Sequence, residues 1–483
     1  MELKKRNIII AIMLAMFLAA VEGTVVTTAV PTIIKDLNGF GLVSWIFSSY
    51  LITSAITTPI YGKLSDLYGR KNVLTIGIAI FLLGSILCGL SQNIYSLIIF
   101  RALQGIGAGS IFTITYTIVG DVFSISERAK VQGWLSTVWG ISSLIGPFLG
   151  GFLIDTLSWH WIFFINIPFG IISIVLIQKN LIENFQKKKR KIDYFGSVIL
   201  TAAIVFLLCG FLTEGNGKSR STILSAIYVI LALVFFAFFY FVERRAEEPI
   251  IPFEIFTKFN IIANVISFLE SASLIAMDVY MPLYIQNVLG FGATISGLCM
   301  SPMSFTWLLS SIFLAKCIIK YREKYIILIC SIIVLLGSVL LLDMGISSSL
   351  LSVILCVAIL GFGFGGNFTT LTIVVQSSVG YYMRGAATAS NSLLRNLGQT
   401  VGISIFGSIF NLNILKYFNR IGISGIDPSN LYSKASVNMG VSLQFIKESI
   451  NSSLHVLFIC VIIINGASLI LSLFLPKDLK END

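Results

Sequence analysis

The stretch Gly62-Lys63-Leu64-Ser65-Asp66-Leu67-Tyr68-Gly69-Arg70-Lys71 lies between two long apolar runs, where a helix that crosses a bilayer would have to end. It carries three cations, one carboxylate and two glycines. Glycine lets two helices approach and reverse closely, and a carboxylate at a membrane rim can face a helix N-terminus or an arginine. Taken by itself, the stretch is equally typical of an ordinary charged loop between two membrane helices.

The composition indicates the class of protein before any motif does. Hydrophobic residues make up 56% of the 483 residues, charged residues only 12%, and the mean hydropathy is +0.91. A soluble protein of this composition would expose far more apolar surface than solubility allows. The chain is therefore predicted to be an all-α integral membrane protein in a lipid bilayer.

Apolar runs long enough to cross about 30 Å of hydrocarbon recur along the whole chain. They predict fourteen transmembrane helices. The first run is kept as a helix because it is too long for a cleavable signal segment and no small-residue cleavage site follows it. The predicted spans are 8–34, 43–62, 72–91, 94–119, 130–155, 160–178, 194–212, 222–242, 260–285, 294–319, 325–343, 349–377, 386–411 and 450–475.

The distribution of Lys and Arg predicts the orientation of these spans. Fourteen spans place both termini on one side of the membrane, and 24 of the 33 Lys and Arg residues fall on that side, against 7 on the other. Cytoplasmic loops carry the excess of positive charge, so both termini are predicted to be cytoplasmic. The net charge of +10 thus reflects topology, and nucleic acid is not a predicted partner.

Two hydrophilic segments divide the chain. Five cations at 187–191 follow the sixth span, and a charged, proline-containing stretch at 243–252 follows the eighth. Both are predicted to be cytoplasmic linkers of an inserted helix pair, so that residues 1–186 and 259–483 form two six-helix bundles and residues 187–258 form the insertion.

An internal repeat relates the two predicted bundles once the insertion is removed. Residues match at a constant offset of 256, and two prolines mark similar ends of the first and ninth spans. Parallel repeats about the membrane normal are one way in which transporters are built. The matches are Phe112 with Phe368, Arg128 with Arg384, Gly146 with Gly402 and Gly151 with Gly407, and the prolines are Pro31 and Pro282.

The sequence offers no pattern typical of an enzyme or a metal site. Its seven cysteines are scattered in or beside apolar spans without a Cys-x-x-Cys pair, so neither a metal centre nor a disulfide framework is predicted. No Ser/His/Asp set, paired histidines or phosphate-cradling glycines lie in a loop. Neither catalysis nor a cofactor is therefore expected.

Two motifs resemble the major facilitator superfamily. The stretch from Gly62 to Lys71, with Asp66, Gly69 and Arg70, resembles the loop between helices 2 and 3 of that family. The fifth span resembles the family's antiporter signature, with serine in place of one glycine, although a generic seam of small residues would have a similar composition. Its motif residues are Gly133, Ser142, Gly146, Pro147, Gly150 and Gly151.

The first span is similar to the motif of the fourteen-helix drug:proton antiporters. It reads Glu22-Gly23-Thr24-Val25-Val26-Thr27-Thr28-Ala29-Val30-Pro31, with Glu22 for the family's aspartate and Thr27 for its asparagine. A lone ionised carboxylate at mid-span costs several kcal/mol, so Glu22 must either keep a proton or face a wet cavity and a cation. A site for protons and cationic drugs needs such a group, while a hydrogen-bonded structural glutamate is the alternative.

Other ionisable residues fall inside predicted spans. Arg101 and Gln104 share a helix face and resemble a family segment in which the arginine assists a nearby carboxylate; snorkelling to the outer interface is the alternative. Glu270 and Asp278 can line one cavity at different depths and bind substrate or a second proton, although Asp278 is equally suited to an outer vestibule. Arg395 is predicted to face the protein interior from a helix that packs tightly against its neighbours.

The resemblance implies a major facilitator fold and export of amphipathic, cationic small molecules against inward proton flow. Export of a cellular metabolite, lipid or peptide by the same mechanism is a second interpretation, and a sensor that has lost transport is a third. Gly62, Asp66, Gly69, Arg70 and Arg128 are expected to gate the cycle. We expect a monomer in a bacterial cytoplasmic membrane, driven by the proton gradient without a cofactor.

Overall fold

The computed structural model is helical throughout the part of the chain that it describes, with no strand in that part. It describes residues 3–39, 42–123, 125–183, 194–212, 219–245, 253–317, 321–379, 384–423, 428, 431 and 442–476. By internal contacts the chain divides into two compact units. Unit 1 comprises Met1–Leu207 and Ile230–Ile250, and unit 2 comprises Leu208–Val229 and Ile251–Asp483.

Helices α1 to α7 belong to unit 1, and helices α10 to α15 belong to unit 2. Helices α8 and α9 contribute to both units. The bounds are α1 Leu3–Asp36, α2 Val43–Tyr68, α3 Arg70–Gly89, α4 Ile94–Val122, α5 Ile125–Thr156, α6 Trp161–Phe164, α7 Asn166–Asn180, α8 Tyr194–Leu212, α9 Ser219–Glu243, α10 Lys258–Leu283, α11 Ala293–Cys317, α12 Glu323–Leu340, α13 Leu350–Ser377, α14 Arg384–Arg420 and α15 Leu443–Leu473.

The described residues contain twelve helices that are long and apolar enough to cross a membrane, and the chain is a multi-pass membrane protein. Helices α2 and α8 are not among the twelve; α8 has a shorter apolar stretch, Val198–Leu207. The fourteen-span topology and the bounds of the three predicted domains therefore stay predictions.

Every predicted span coincides with a helix, but several boundaries differ: α1, α5 and α15 begin five, five and seven residues before their predicted starts, and three further differences bear on the motifs or on helix length. Helix α2 continues past Gly62 to Tyr68, so the turn before α3 is reduced to Gly69. The sixth predicted span is interrupted at Ile165, which makes Asn166 the first residue of α7. Helix α14 continues to Arg420 because its last three turns carry no helix-breaking residue.

Side-chain caps fix several helix starts. Asn93 Oδ1 accepts a hydrogen bond from the Ser96 amide (2.8 Å) at the start of α4. Thr257 caps α10 in the same way through the amide of Asn260 (3.2 Å). Such caps satisfy amides that have no partner inside the helix, so these starts could be predicted to within a residue or two.

In unit 1, α1 packs against α5 and α7, and α4 packs against α2 and α3. A continuous apolar core fills the unit, from Ile8 on α1 through Phe81 on α3 to Ile111 on α4. In unit 2, α10 packs against α14, α13 packs against α11 and α12, and α15 closes the bundle against α12, α14 and α10. Each unit thus brings four or more helices around the side chains described next.

The packing of each unit follows the repeat predicted from the sequence. A Cβ on Gly146 of α5 would lie 2.0 Å from Thr24 Oγ1 on α1, and a Cβ on Gly402 of α14 would lie 2.7 Å from the Cα of Ala272 on α10. Equivalent glycines therefore allow equivalent helix pairs to approach closely.

Candidate functional site

Glu22 and Arg101 form an ion pair in the interior of unit 1. Arg101 Nη1 on α4 donates to Glu22 Oε1 on α1, and each residue is only 1% exposed. The guanidinium is thus inside the bundle and does not snorkel to the outer surface. Removing one partner of such a buried pair typically costs about 3–5 kcal/mol, because the other charge is left uncompensated.

Three amide and hydroxyl groups surround this pair. Asn166 Nδ2, on the first residue of α7, donates to Glu22 Oε2 (2.7 Å) and to Ser85 Oγ (2.9 Å). Gln104 Oε1 accepts from Arg101 Nη1 (2.7 Å), and Gln104 Nε2 donates to Ser85 Oγ (3.2 Å). Both carboxylate oxygens of Glu22 therefore have donors, and four helices contribute to one closed network.

Arg101 has two further contacts that do not involve Glu22. Its Nε donates to the carbonyl oxygen of Ile46 (3.2 Å), and its guanidinium lies 4.4 Å from the centre of the Tyr50 ring. Cation–π contact and a carbonyl acceptor both stabilise a buried guanidinium. Arg101 therefore remains held in place whether or not Glu22 carries a charge.

The backbone beside Glu22 borders open space. Gly23 is exposed, and a Cβ built on it would meet nothing within 4 Å. Glu22 itself is enclosed, so a buried carboxylate and an exposed backbone position are adjacent in α1. This juxtaposition suits a group that meets a solute in one conformation and a protein cation in another.

Helix α5 packs directly on the segment of α1 that carries Glu22. The hydroxyl of Thr24 donates to the Ser142 carbonyl oxygen (3.2 Å), and Gly146 faces the same hydroxyl. One turn further, a Cβ on Gly150 would lie 2.4 Å from Thr28 Oγ1. The small residues of the antiporter-like motif therefore touch the drug:proton-like motif, with Pro147 inside α5 between them.

The α2–α3 turn consists of Gly69 alone, with φ of 89°. A side chain there would be strained, and its Cβ would lie 2.6 Å from Glu183 Oε2. Glu183, after α7, accepts hydrogen bonds from the amides of Arg70 and Lys71 at the start of α3. Arg70 Nη1 donates to Ser65 Oγ (3.1 Å). Glu183 was not predicted, since nothing in its sequence context indicates a distant helix cap.

Glu270 is the second enclosed carboxylate and lies in unit 2. Its Oε1 accepts from Asn367 Nδ2 (2.6 Å) and from Ser468 Oγ (3.0 Å), and the residue is 0% exposed. Asn367 Nδ2 also donates to Ser331 Oγ (3.1 Å). The second carboxylate oxygen of Glu270, Oε2, has no hydrogen-bond partner among the described residues.

Asp278 and Arg395 do not join Glu270 in one cluster. Asp278 is half-buried on α10 and makes no hydrogen bond within the described part of the chain. Arg395 Nη2 donates to the Phe368 carbonyl oxygen (2.9 Å) and to Thr372 Oγ1 (2.8 Å), with its guanidinium 4.6 Å from the centre of the Phe368 ring. Trp307 stacks on that ring at 5.2 Å.

Three predicted residues cannot be placed in the site. The side chains of Asp66 and Arg128, and Gly133 in α5, lie outside the residues whose surroundings the structure describes. Conversely, Asn166, Asn367 and Ser468 were missed by the sequence reasoning. The two asparagines could have been found because each is an amide inside an apolar span, where burying an amide costs free energy unless it is hydrogen-bonded.

Comparisons with known proteins agree with this architecture. The sequence profile described as Major Facilitator Superfamily matches residues 12–403. Multidrug resistance protein 3 of Bacillus subtilis (strain 168) is 36% identical over 406 residues, covering 83% of this chain and 79% of that protein. The multidrug efflux pump SdrM of Staphylococcus aureus (strain N315) is 31% identical over 439 residues, covering 90% of this chain and 95% of that protein.

Solved structures with low sequence identity share the fold. A bacterial homolog of the human lysosomal transporter Spinster, inward-facing and occupied, superposes with a TM-score of 0.68 at 12% identity, covering 98% of this chain and 97% of that one. A D-xylose–proton symporter gives a TM-score of 0.65 at 12% identity, with 98% of each chain covered.

Proposed function

Because the chain belongs to the Major Facilitator Superfamily, whose members are transporters and not enzymes, we propose that it is a proton-coupled multidrug antiporter that exports amphipathic, cationic compounds by alternating access. Curated relatives at 36% and 31% identity are named as multidrug transporters, which supports drug efflux. The observation that carries the coupling is the enclosed pair of Glu22 and Arg101 next to open space at Gly23.

The electrostatics of this pair provide a reason for exchange. With Glu22 ionised the pair is neutral, and a cationic solute beside Gly23 meets no net repulsion. With a proton on Glu22, the charge of Arg101 remains, since its bonds to Gln104 and Ile46 do not depend on Glu22. A like charge in a medium of low dielectric disfavours a second cation. Proton and cationic substrate therefore exclude one another, as antiport requires.

The contact between α1 and α5 transmits the exchange of proton and cation at Glu22 to the rest of unit 1. Thr24 and Thr28 pack on Gly146 and Gly150 with no space for a side chain between them. A shift of α1 that opens or closes Glu22 must therefore move α5 with it, since packed interfaces change in discrete steps.

We assign gating to Gly62 and Asp66 near the end of α2, to the turn at Gly69 with Arg70 after it, and to Arg128 in the first turn of α5. Asp66 is expected to hold one state shut by pairing with an arginine or with a helix N-terminus. Asp66→Asn tests this role in transport assays: a lower maximal rate with unchanged substrate affinity supports it, and lost affinity at an unchanged rate contradicts it.

The remaining features of the proposal rest on the sequence and on contacts within unit 2. Fourteen spans, formed by two six-helix bundles of residues 1–186 and 259–483 and an inserted pair within 187–258, place both termini in the cytoplasm of a bacterial cell. The protein works as a monomer, takes its energy from the proton gradient and needs no cofactor. Arg395 with Phe368 and Trp307, and the half-buried Asp278, are the proposed substrate contacts in unit 2.

A growth-inhibition and dye-efflux panel in a pump-deficient bacterium tests the function. Cells that express the protein should tolerate several structurally unrelated lipophilic cations and extrude a cationic dye, and a protonophore should stop the extrusion. Cells that carry Glu22→Gln at equal membrane abundance are the matched control. No change in tolerance or efflux for any compound would refute multidrug export and favour a dedicated cellular substrate.

A further inference from the structure

Ser85, in the second half of α3, is a centre of hydrogen bonding beside the buried ion pair. Its hydroxyl donates to the carbonyl oxygen of Phe163 in α6 (2.9 Å). The same hydroxyl accepts from Asn166 Nδ2 (2.9 Å) and from Gln104 Nε2 (3.2 Å). A serine hydroxyl offers one proton and two lone pairs, so all three positions of this fully buried group are in use.

The Phe163 carbonyl fixes the direction of the Ser85 hydroxyl. A carbonyl oxygen can only accept a hydrogen bond, so the single hydroxyl proton of Ser85 is directed to Phe163. The serine oxygen then has only lone pairs to offer to Asn166 and Gln104. Both side chains must therefore present their amide nitrogens to Ser85, and one backbone carbonyl sets the orientation of two amides.

The fixed amide of Asn166 keeps a donor at the carboxylate of Glu22. Asn166 Nδ2 donates to Glu22 Oε2 (2.7 Å), and Arg101 Nη1 donates to the other carboxylate oxygen. Donors at both oxygens favour the ionised form of a carboxylate. A protonated Glu22 can donate to Asn166 only if the amide turns its oxygen towards Glu22, and that oxygen would then meet the lone pairs of Ser85. Ser85 thus opposes protonation of Glu22 through Asn166.

The titratable groups around Glu22 act on it independently of Ser85. Three such groups lie within electrostatic reach of the carboxylate in the described residues, and none of the three is hydrogen-bonded to Ser85 or to Asn166 there. The Ser85 hydroxyl can therefore affect Glu22 only through the amides that it orients. The three groups are Arg101 on α4, Tyr50 on α2 and Cys88 on α3.

Unit 2 contains a helix pair that corresponds to α3 and α4. A Cβ on Gly107 of α4 would lie 2.3 Å from the amide nitrogen of Phe81 on α3. A Cβ on Gly363 of α13, at the repeat offset of 256, would lie 3.0 Å from the amide nitrogen of Val334 on α12. The two contacts place Val334 where α3 has Phe81, so α3 and α12 correspond at an offset of 253 residues.

Ser338 then corresponds to Ser85, and it has an asparagine partner without a carboxylate. Asn465 Nδ2 donates to Ser338 Oγ (2.7 Å), as Asn166 Nδ2 donates to Ser85 Oγ. The Ser338 hydroxyl donates to the Val334 carbonyl oxygen of its own helix (2.7 Å). Asn465 has no bond to a carboxylate within the described part of the chain. The bond between serine and asparagine joins two helices in each unit, and in unit 1 it also reaches an ionisable group.

We infer that Ser85 is a positioning residue: its hydroxyl orients the Asn166 amide towards Glu22 and so favours the ionised form of that carboxylate. The orientation belongs to the folded protein and does not depend on transport. Its consequence, that Ser85 sets the pH range in which the protein works, rests on the proposed antiport function.

A pH titration of Glu22 in the purified full-length protein, without substrate or gradient, tests the inference. Difference infrared spectra report the protonated carboxyl, and the band that is missing in Glu22→Gln belongs to Glu22. Ser85→Ala should move the midpoint of this titration to higher pH by about 0.4–1 pH unit, the equivalent of one hydrogen bond. Ser85→Thr keeps the hydroxyl and should keep the wild-type midpoint. If Ser85→Ala does not fold, Ser85→Cys, with a weakly bonding thiol, should shift the midpoint in the same direction.

Two further variants separate positioning from packing. Ser338→Ala removes the corresponding hydroxyl of unit 2 and should lower the Tm about as much as Ser85→Ala does, but it should leave the Glu22 midpoint unchanged. Asn166→Leu removes the oriented donor and should raise the midpoint, and adding Ser85→Ala to it should cause no further shift.

The role of Ser85 would be overturned by an unchanged midpoint in Ser85→Ala, by an equal shift in Ser338→Ala, or by a Glu22 band that appears in neither the wild type nor Ser85→Ala. These results do not bear on drug export, because the titration needs neither substrate nor gradient. Efflux assays on the same variants test the antiport function separately.

Discussion

At the scale of single residues, the buried pair of Glu22 and Arg101 concentrates the chemistry of unit 1. Arg101 uses its planar fork for Glu22, Gln104 and the Ile46 carbonyl oxygen at once, and it also lies on the Tyr50 ring. A lysine has a single charged nitrogen and cannot make these contacts together. The geometry explains why the sequence has arginine here.

A double-mutant cycle should separate the pair from its surroundings. Arg101→Met leaves the Glu22 carboxylate buried without its cation and should destabilise the protein by about 3–5 kcal/mol. Adding Glu22→Gln removes the uncompensated charge and should restore about 1–3 kcal/mol of that loss. Thermal unfolding of the purified variants measures both steps. Additive losses would mean that the two side chains do not interact in the folded protein.

At the scale of helices, the function depends on how closely α5 lies on α1. Gly146 has the Thr24 hydroxyl where a Cβ would stand, and that hydroxyl is itself bonded to the Val21 and Ser142 carbonyl oxygens. Thr24 is β-branched and cannot swing away freely. A single added methyl group therefore separates the two helices.

Gly146→Ala should lower the Tm and reduce transport, whereas Gly23→Ala should not lower the Tm. Overpacking of a close helix contact costs about 1–3 kcal/mol, while alanine at Gly23 points into open space and is a better helix former than glycine. Tm measurements on the two purified variants, which differ from the wild type by the same methyl group, compare these costs. Equal stability of both variants would show that α1 and α5 are not packed as described.

The helices show what sequence could and could not predict. All fourteen predicted spans coincide with helices because apolar length is a strong signal, yet α2 runs six residues past its predicted end, since Leu64 to Tyr68 carry no helix breaker before Gly69. Glu22 and Arg101 were found from motifs. Asn166 and Asn367 were missed because each is a single amide without periodicity, bonded to a carboxylate more than 90 positions away in the chain.

At the scale of the whole molecule, the two repeats share close helix contacts but differ in the positions of their charged residues. Pro31 and Pro282, at similar ends of the first and ninth spans, are 251 residues apart, whereas Glu22 and Glu270 are 248 residues apart. The contacts of Gly146 with Thr24 and of Gly402 with Ala272 also relate α1 to α10 by 248 residues. At the offset of 256, Arg101 of unit 1 corresponds to Val357, and Arg395 of unit 2 corresponds to Trp139.

Glu22 is paired with Arg101, whereas Glu270 has no ion pair within the described part of the chain, and two such carboxylates predict electrogenic transport. Exchanging one proton for one monovalent cation moves no net charge, whereas a second inward cation at Glu270 adds about 2.3 kcal/mol of driving force per 100 mV. An inside-negative potential, set with a potassium gradient and valinomycin, should accelerate proton entry coupled to export of a monovalent cation. Glu270→Gln should lose this acceleration and keep its dependence on pH. If transport by the wild type did not respond to the membrane potential, a single carboxylate would couple protons to export and the role of Glu270 would be contradicted.

Substrate-induced proton movement tests the central claim most directly. Proteoliposomes loaded with a pH-sensitive dye and held without a pH gradient are given an outward gradient of a lipophilic monovalent cation such as tetraphenylphosphonium. Wild-type protein should acidify the lumen as the cation leaves, and Glu22→Gln, incorporated at equal density, should abolish the acidification. Cation efflux from wild-type proteoliposomes without luminal acidification, or acidification undiminished by Glu22→Gln, would contradict proton exchange at Glu22.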